Sequence, residues 1–223
     1  MSDATFDRLA NEAMTRYAGA TRTAHGILRG KLRADPVYRE LLHRGIDAAP
    51  RIVDLGCGRG LLLSLILAAR GSRARPSLHG IEIDPAAALV AGRALGDAAT
   101  IVEGDLADEP IPPCDVVTLL DVAHYLPVPV QDELLARIRA ALPPGGRLFV
   151  READAAAGAG FLAVRAAERL AAIGRGDGFR RFAYRSTAEW SRRLEAAGFS
   201  VATAPMSGGT PFANVLMEAR AGA

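Results

Sequence analysis

The chain has 223 residues, 50% of them hydrophobic and 23% charged, with a mean hydropathy of +0.13. A chain of this size buries roughly 70% of its unfolded surface, which excludes a disordered chain, a coiled coil and a need for disulfide or metal staples. Lys and Arg total 27 against 25 Asp and Glu, a formal net charge of +2 that is too balanced for a dedicated nucleic-acid binder. Residues 4–46 read as helices, with Phe6, Leu9, Ala13, Met14 and Tyr17 at helical spacing. Asp35-Pro36 opens a further helix as N-cap and first position. Residues 51–56 (RIVDLG) then predict a strand, 59–70 a helix, 77–84 a strand and 85–95 a helix beginning at Pro85. Strands follow at 100–105 and 114–121, the latter apolar enough for burial on both faces, then a helix over 131–142 and a fifth strand over 146–152. Strands alternating with ten-residue helices predict a doubly wound, mostly parallel sheet. Beyond it, 156–173 reads as helix and 174–178 as loop, and Ser186 with Glu189 forms a capping box for the next helix, which Gly198 ends. The last two strands have no helix between them, so they predict an antiparallel hairpin. The expected fold is an α/β domain with seven strands, an antiparallel C-terminal strand and an N-terminal helical cap.

One domain is expected over 1–223: a cap over 1–46, a Rossmann core over 50–152, and a lid insertion with the C-terminal strands over 153–223. The cap, interrupted by Gly19, Gly26 and Gly30, and the 155–186 insertion are expected to cover the site and to open. Cys57 and Cys114 lack CxxC spacing, so they suit a reducing compartment and make no zinc knuckle. The start, MSDATFDRLA, is acidic and amphipathic, unlike a secretory leader. The longest apolar run, 61–69, contains Ser64 and is too short to span a bilayer. A cytoplasmic monomer or homodimer without membrane partners is expected.

The segment VDLGCGRG (53–60) carries the most chemistry. It lies at the carboxyl end of the first strand and opens into a helix, where doubly wound sheets place phosphates and nucleosides. The dinucleotide fingerprint fails, because Leu61 stands where a third glycine is required. The Walker pattern fails too, since no Lys-Ser/Thr follows. The segment instead resembles motif I of the class I S-adenosylmethionine-dependent methyltransferases, and the resemblance runs over residues 50–152. It implies binding of S-adenosylmethionine by Asp54, Gly56, Gly58 and Gly60. It implies that Glu82, in HGIEIDP, bonds the two ribose hydroxyls, while Asp84 caps the next helix. GDL (104–106) resembles the adenine-binding turn, with Asp105 accepting from the amino group and Leu106 offering its N–H. LLDVAHYLP (119–127) resembles the stretch that places Asp121 beside the methionine part of the cofactor. PPGGRLFV (143–150) matches the turn and strand that follow.

A sulfonium methyl is already activated, so the chain must orient an acceptor and accept a proton if that acceptor is a hydroxyl. His124, after the fourth strand, is the first candidate base, with loop shaping as its alternative role. His25 is the second candidate. His43 and His79 read as structural. Glu152 and Asp154, after the fifth strand, either face the acceptor or are solvated or salt-bridged. Metal-dependent catechol methyltransferases need an Asp-Asn pair after the fifth strand; it is missing, so no metal is expected. Tyr17, Phe161, Phe179, Phe182 and Tyr184 either line an aromatic or acyl pocket or pack helices.

Arg16, Arg22, Arg29, Lys31, Arg33, Arg39 and Arg44 face only Asp35 and Glu40, a local excess of +5. This reads either as a solvated helical face or as a dock for an acidic acyl carrier protein. GKLRADPVYREL is similar to a stretch of small methyltransferases from bacterial aryl-polyene and polyketide pathways. The expected reaction is O-methylation of an aromatic or polyketide-like small molecule. C-methylation of a quinone or lipid precursor, or a catalytically inactive cofactor-binding subunit, remain as alternatives. No N/D-P-P-Y/F sequence follows the fourth strand, which argues against a nucleic-acid substrate.

Overall fold

The computed structural model describes residues 1–71, 73, 76–164, 182–208 and 212–222. Phe179, the 174–178 loop and the second half of the helix expected over 156–173 lie outside them. Seven strands form one sheet in the order β3-β2-β1-β4-β5-β7-β6. They are β1 (Arg51–Leu55), β2 (Ser77–Glu82), β3 (Thr100–Glu103), β4 (Val116–Leu120), β5 (Arg147–Ala153), β6 (Phe199–Pro205) and β7 (Asn214–Ala221). Six run parallel and β7 alone antiparallel, as the sequence pattern predicts. The last two strands do pair antiparallel, but β7 also inserts against β5, leaving β6 at the edge. The chain divides into two compact units, Met1–Val116 and Val117–Ala223.

In the first unit, helices α1 (Asp3–Met14), α2 (Arg22–Ala34) and α3 (Pro36–His43) precede β1. Asp35 caps α3 through the Val37 N–H, with Pro36 in its first turn. The three helices are unequal. Phe6, Leu9, Ala10, Ala13 and Met14 of α1 are buried, and α1 packs along α4 (Leu61–Arg70). The Ser64 hydroxyl of α4 donates to the Ala13 carbonyl at 2.9 Å. Helix α2 buries only Leu28 and Leu32. Helix α5 (Pro85–Leu95) follows β2, capped by Asp84 through the Ala86 N–H, as its Asp-Pro start predicts.

In the second unit, α6 runs over Val128–Ala141 and begins three residues before the expected start. Pro129 lies in its first turn, where the missing N–H has no intrahelical partner to lose. Helix α7 (Thr187–Ala196) carries the expected capping box between Ser186 and Glu189. Among the described residues, no helix is long and apolar enough to cross a membrane.

Candidate functional site

In the first unit, β1 ends in a loop of alternating glycines. Gly56, Gly58 and Gly60 have φ of 73°, 55° and 76°, the left-handed region that glycine enters without steric cost. The loop is tied to β2: the N–H groups of Gly56 and Cys57 both donate to the Ile81 carbonyl, at 2.8 and 3.0 Å. Glu82, the last residue of β2, closes the arrangement. One carboxylate oxygen accepts from the Gly58 N–H at 2.7 Å, the other from the Asp84 N–H at 2.9 Å. Each oxygen keeps a further lone pair, and the residue is only half-buried. A side chain at Gly58 would meet open space. A carboxylate held beside an open glycine face suits a vicinal diol, so these residues fit the ribose of a nucleoside cofactor.

The remaining candidates of this unit are placed as follows. Asp54 lies buried on β1, level with Gly80 of β2. Burial first, then the charges of Asp54 and Glu82, pushes the Cys57 thiol well up, so it stays protonated in the loop. Asp105 is exposed, and one of its oxygens accepts from the Ala107 N–H at 2.9 Å, which leaves the carboxylate at the surface of a tight turn. The Leu106 side chain is buried. Ile83, directly after Glu82, is 51% exposed, a large apolar side chain at the strand's carboxyl end. The sequence reading passed over it because it continues an apolar strand; only its exposure suggests a ligand face.

His25 is half-buried on α2 and lines a shallow cavity of about 240 Å³ with Asn11, Met14, Thr15, Ala18 and Arg29. Tyr17 is buried and gives its hydroxyl proton to the Arg59 carbonyl of the glycine loop at 2.8 Å. His43 ends α3 and His79 lies within β2.

In the second unit, Asp121 follows β4 with φ of 57°, the only left-handed non-glycine among the described residues. Both its carboxylate oxygens are gripped by the guanidinium of Arg151 on β5, and its N–H donates to the Arg151 carbonyl at 2.9 Å. Such backbone strain costs on the order of 1–3 kcal/mol and collects at functional sites. His124 sits in the following turn and is buried. Its Nδ1 lies 2.7 Å from one oxygen of Glu152, and its backbone N–H donates to the other at 3.3 Å. Glu152 is buried on β5. Its sequence reading had two alternatives, facing an acceptor or pairing, and the structure pairs it. Asp154 accepts from the N–H groups of Ala156 and Thr187, so it shapes a turn.

Rings enclose His124. Tyr184 stacks on it at 4.8 Å and 14°, with Tyr125 at 4.3 Å and Phe182 at 5.8 Å. Phe161 meets Tyr184 edge-on at 5.0 Å. Gln131 fixes the turn by donating to the carbonyls of Ala123, Leu126 and Ala183, within 2.8–3.0 Å. Neither Gln131 nor this pairing carried a sequence signal. Among the described residues, no group of three or more His, Cys, Asp or Glu could hold a metal ion.

The family described as methyltransferase domain matches residues 28–204. The chain belongs to this family. It is similar to demethylspheroidene O-methyltransferase of Rhodobacter capsulatus, 31% identical over 175 residues, covering 78% of this chain and 42% of that protein. The chain spans less than half the length of the curated relatives it matches. An O-methyltransferase family protein from Burkholderia thailandensis shares the fold, with a TM-score of 0.69 at 19% identity over 96% of this chain and 64% of that one. So does magnesium protoporphyrin IX methyltransferase from Synechocystis PCC 6803, solved with bound SAH, with a TM-score of 0.64 at 22% identity over 98% of both chains.

Proposed function

We propose that this methyltransferase domain, residues 1–223 acting as one, moves a methyl group from S-adenosylmethionine to a hydroxyl of an aromatic or polyketide-like small molecule. The observation that carries the oxygen assignment is the buried His124–Glu152 pair, with Nδ1 and the carboxylate oxygen 2.7 Å apart. When bound, the cofactor supplies a methyl group already activated by its sulfonium. The glycine loop, Glu82, Asp105 and Leu106 bind the nucleoside half, and Asp54 and Asp121 support the methionine half. Ile83 offers an apolar face to the adenine ring.

Glu152 fixes the His124 tautomer. With the Nδ1 proton directed at the carboxylate, Nε2 is the basic nitrogen. Nε2 would take the proton of an acceptor hydroxyl, and Glu152 would stabilise the resulting imidazolium. The rings of Tyr125, Phe182 and Tyr184 keep this step dry and suit a planar acceptor. His25 is the second candidate base; its cavity offers Arg29 and Asn11, groups better suited to recognising an acceptor than to removing its proton.

The basic N-terminal stretch supports an acidic carrier protein less than its charge count suggests. Arg39 pairs with Asp3, Arg33 with Asp7 and Arg44 with Glu40. Arg22 and Lys31 stay exposed on α2 and are the residues of such a dock.

Calorimetry with S-adenosylhomocysteine tests the cofactor assignment. Glu82→Ala should weaken binding by about 1.5–3 kcal/mol, the usual range for hydrogen bonds to a charged group. Unchanged affinity would remove Glu82 from the ribose. Methyl-labelled cofactor offered with a panel of phenols and aromatic polyketides should give a methoxy product. On a substrate so found, His124→Ala should lower turnover by about 10²–10⁴-fold with cofactor affinity unchanged. A loss below tenfold would return His124 to loop shaping.

A further inference from the structure

From the contact between the N-terminal helices and the glycine loop, we infer that Tyr17 is a positioning residue for the cofactor. The N-terminal segment then belongs to the cofactor site. This inference rests on the cofactor reading above.

The loop is held from two sides. From β2, the Ile81 carbonyl takes the N–H groups of Gly56 and Cys57, and Glu82 takes that of Gly58. Within the loop, the Gly60 N–H closes on the Cys57 carbonyl at 2.9 Å. From the N-terminal segment, Tyr17 holds the Arg59 carbonyl at 2.8 Å. That carbonyl belongs to the peptide joining Arg59 to the left-handed Gly60. The peptide is held at both ends, its N–H by the Cys57 carbonyl and its carbonyl by Tyr17, and the glycine beside it adds little steric preference of its own. Turning it would displace Gly58 and the carboxylate bonded to it.

Tyr17 is well suited to this. It is 3% exposed, and burial raises its hydroxyl far above the usual phenol range, so it remains a donor at any physiological pH. Its backbone is fixed by α1, whose apolar face packs on α4, the helix that the loop opens into. The last turn of α1, just before Tyr17, is anchored to α4 by the Ser64–Ala13 bond, so loosening the first turn at Phe6 does not reach the loop.

The test compares Tyr17→Phe with Phe6→Leu in the full chain. Tyr17→Phe deletes only the hydroxyl. Phe6→Leu loosens α1 without touching the loop. Titrated with S-adenosylhomocysteine, Tyr17→Phe should bind about three- to tenfold more weakly, the effect of one neutral hydrogen bond. Phe6→Leu should melt at a lower temperature yet bind like wild type. Hydrogen exchange of the Gly60 amide in the empty protein should quicken in Tyr17→Phe alone. Tyr17→Phe binding like wild type, or both variants weakening binding equally, would overturn the inference. Failure of the wild-type chain to bind would instead fall on the cofactor reading itself.

Discussion

Three glycines of one loop, all left-handed, answer to different constraints. At Gly58 a Cβ would meet nothing within 4 Å, whereas at Gly60 it would lie 2.9 Å from Leu95 Cδ1 and 3.2 Å from Ala91 Cβ. Both positions carry the backbone cost of a left-handed L-residue, about 1–2 kcal/mol. Gly60→Ala must also push against α5, and overpacking typically adds about 1–3 kcal/mol. Denaturant unfolding should therefore show Gly60→Ala less stable than Gly58→Ala. Gly58→Ala should stay folded and, on the proposed cofactor site, lose affinity for S-adenosylhomocysteine, because its methyl projects into the open space beside Glu82. Equal stabilities would reject the packing argument, and full affinity in Gly58→Ala would reject the site. The glycine pattern and the acidic end of β2 were legible in the sequence because they are local. The His124–Glu152 pair was not, because 28 residues separate its members and only the fold brings them together. Tyr17 was named from its aromaticity, yet its part here comes from its hydroxyl, whose partner lies 42 residues away.

Helices and strands repeat this division between local and distant causes. Caps were legible: Asp35 and Asp84 before prolines, and Ser186 with Glu189. The start of α6 was not: the helix opens three residues before the expected one, with Pro129 in a first turn that tolerates proline. The insertion of β7 between β5 and β6 was equally hidden, since strand order depends on which edges remain to be covered. The cap was expected to cover the site and to open, and its helices differ in what holds them. Helix α1 is anchored by five buried residues and by the Ser64–Ala13 bond. Helix α2 buries two residues and contains Gly26 and Gly30, each costing up to about 1 kcal/mol of helix stability. Hydrogen exchange should therefore find α1 protected nearly as well as β1, and α2 much faster in the empty protein. Equal protection of the two helices would make the whole N-terminal segment a fixed layer.

At the scale of the whole molecule, the family match over 28–204 leaves out a packed element of each unit. Before it lies α1, whose apolar side is buried along α4. After it lies β7, which pairs through seven residues with β5 and through seven with β6. Phe6, Leu9, Met14, Leu216 and Met217 are all buried, none more than 6% exposed. At about 2 kcal/mol for each such side chain, removing them forfeits roughly 10 kcal/mol of burial. That is the size of the entire stability of a typical domain, about 5–15 kcal/mol. A chain cut to 28–204 would also leave β5 and β6 without the strand that joins them, each presenting unpaired backbone groups. It should aggregate or show no cooperative thermal transition, whereas the full chain should melt in a cooperative transition. Cutting α1 alone should give a milder loss, with cofactor affinity falling along with stability because Tyr17 loses the helix that fixes it. A cooperative melt of the 28–204 fragment with the denaturant sensitivity of the full chain would show that α1 and β7 are accessory, and would detach the N-terminal segment from the cofactor site.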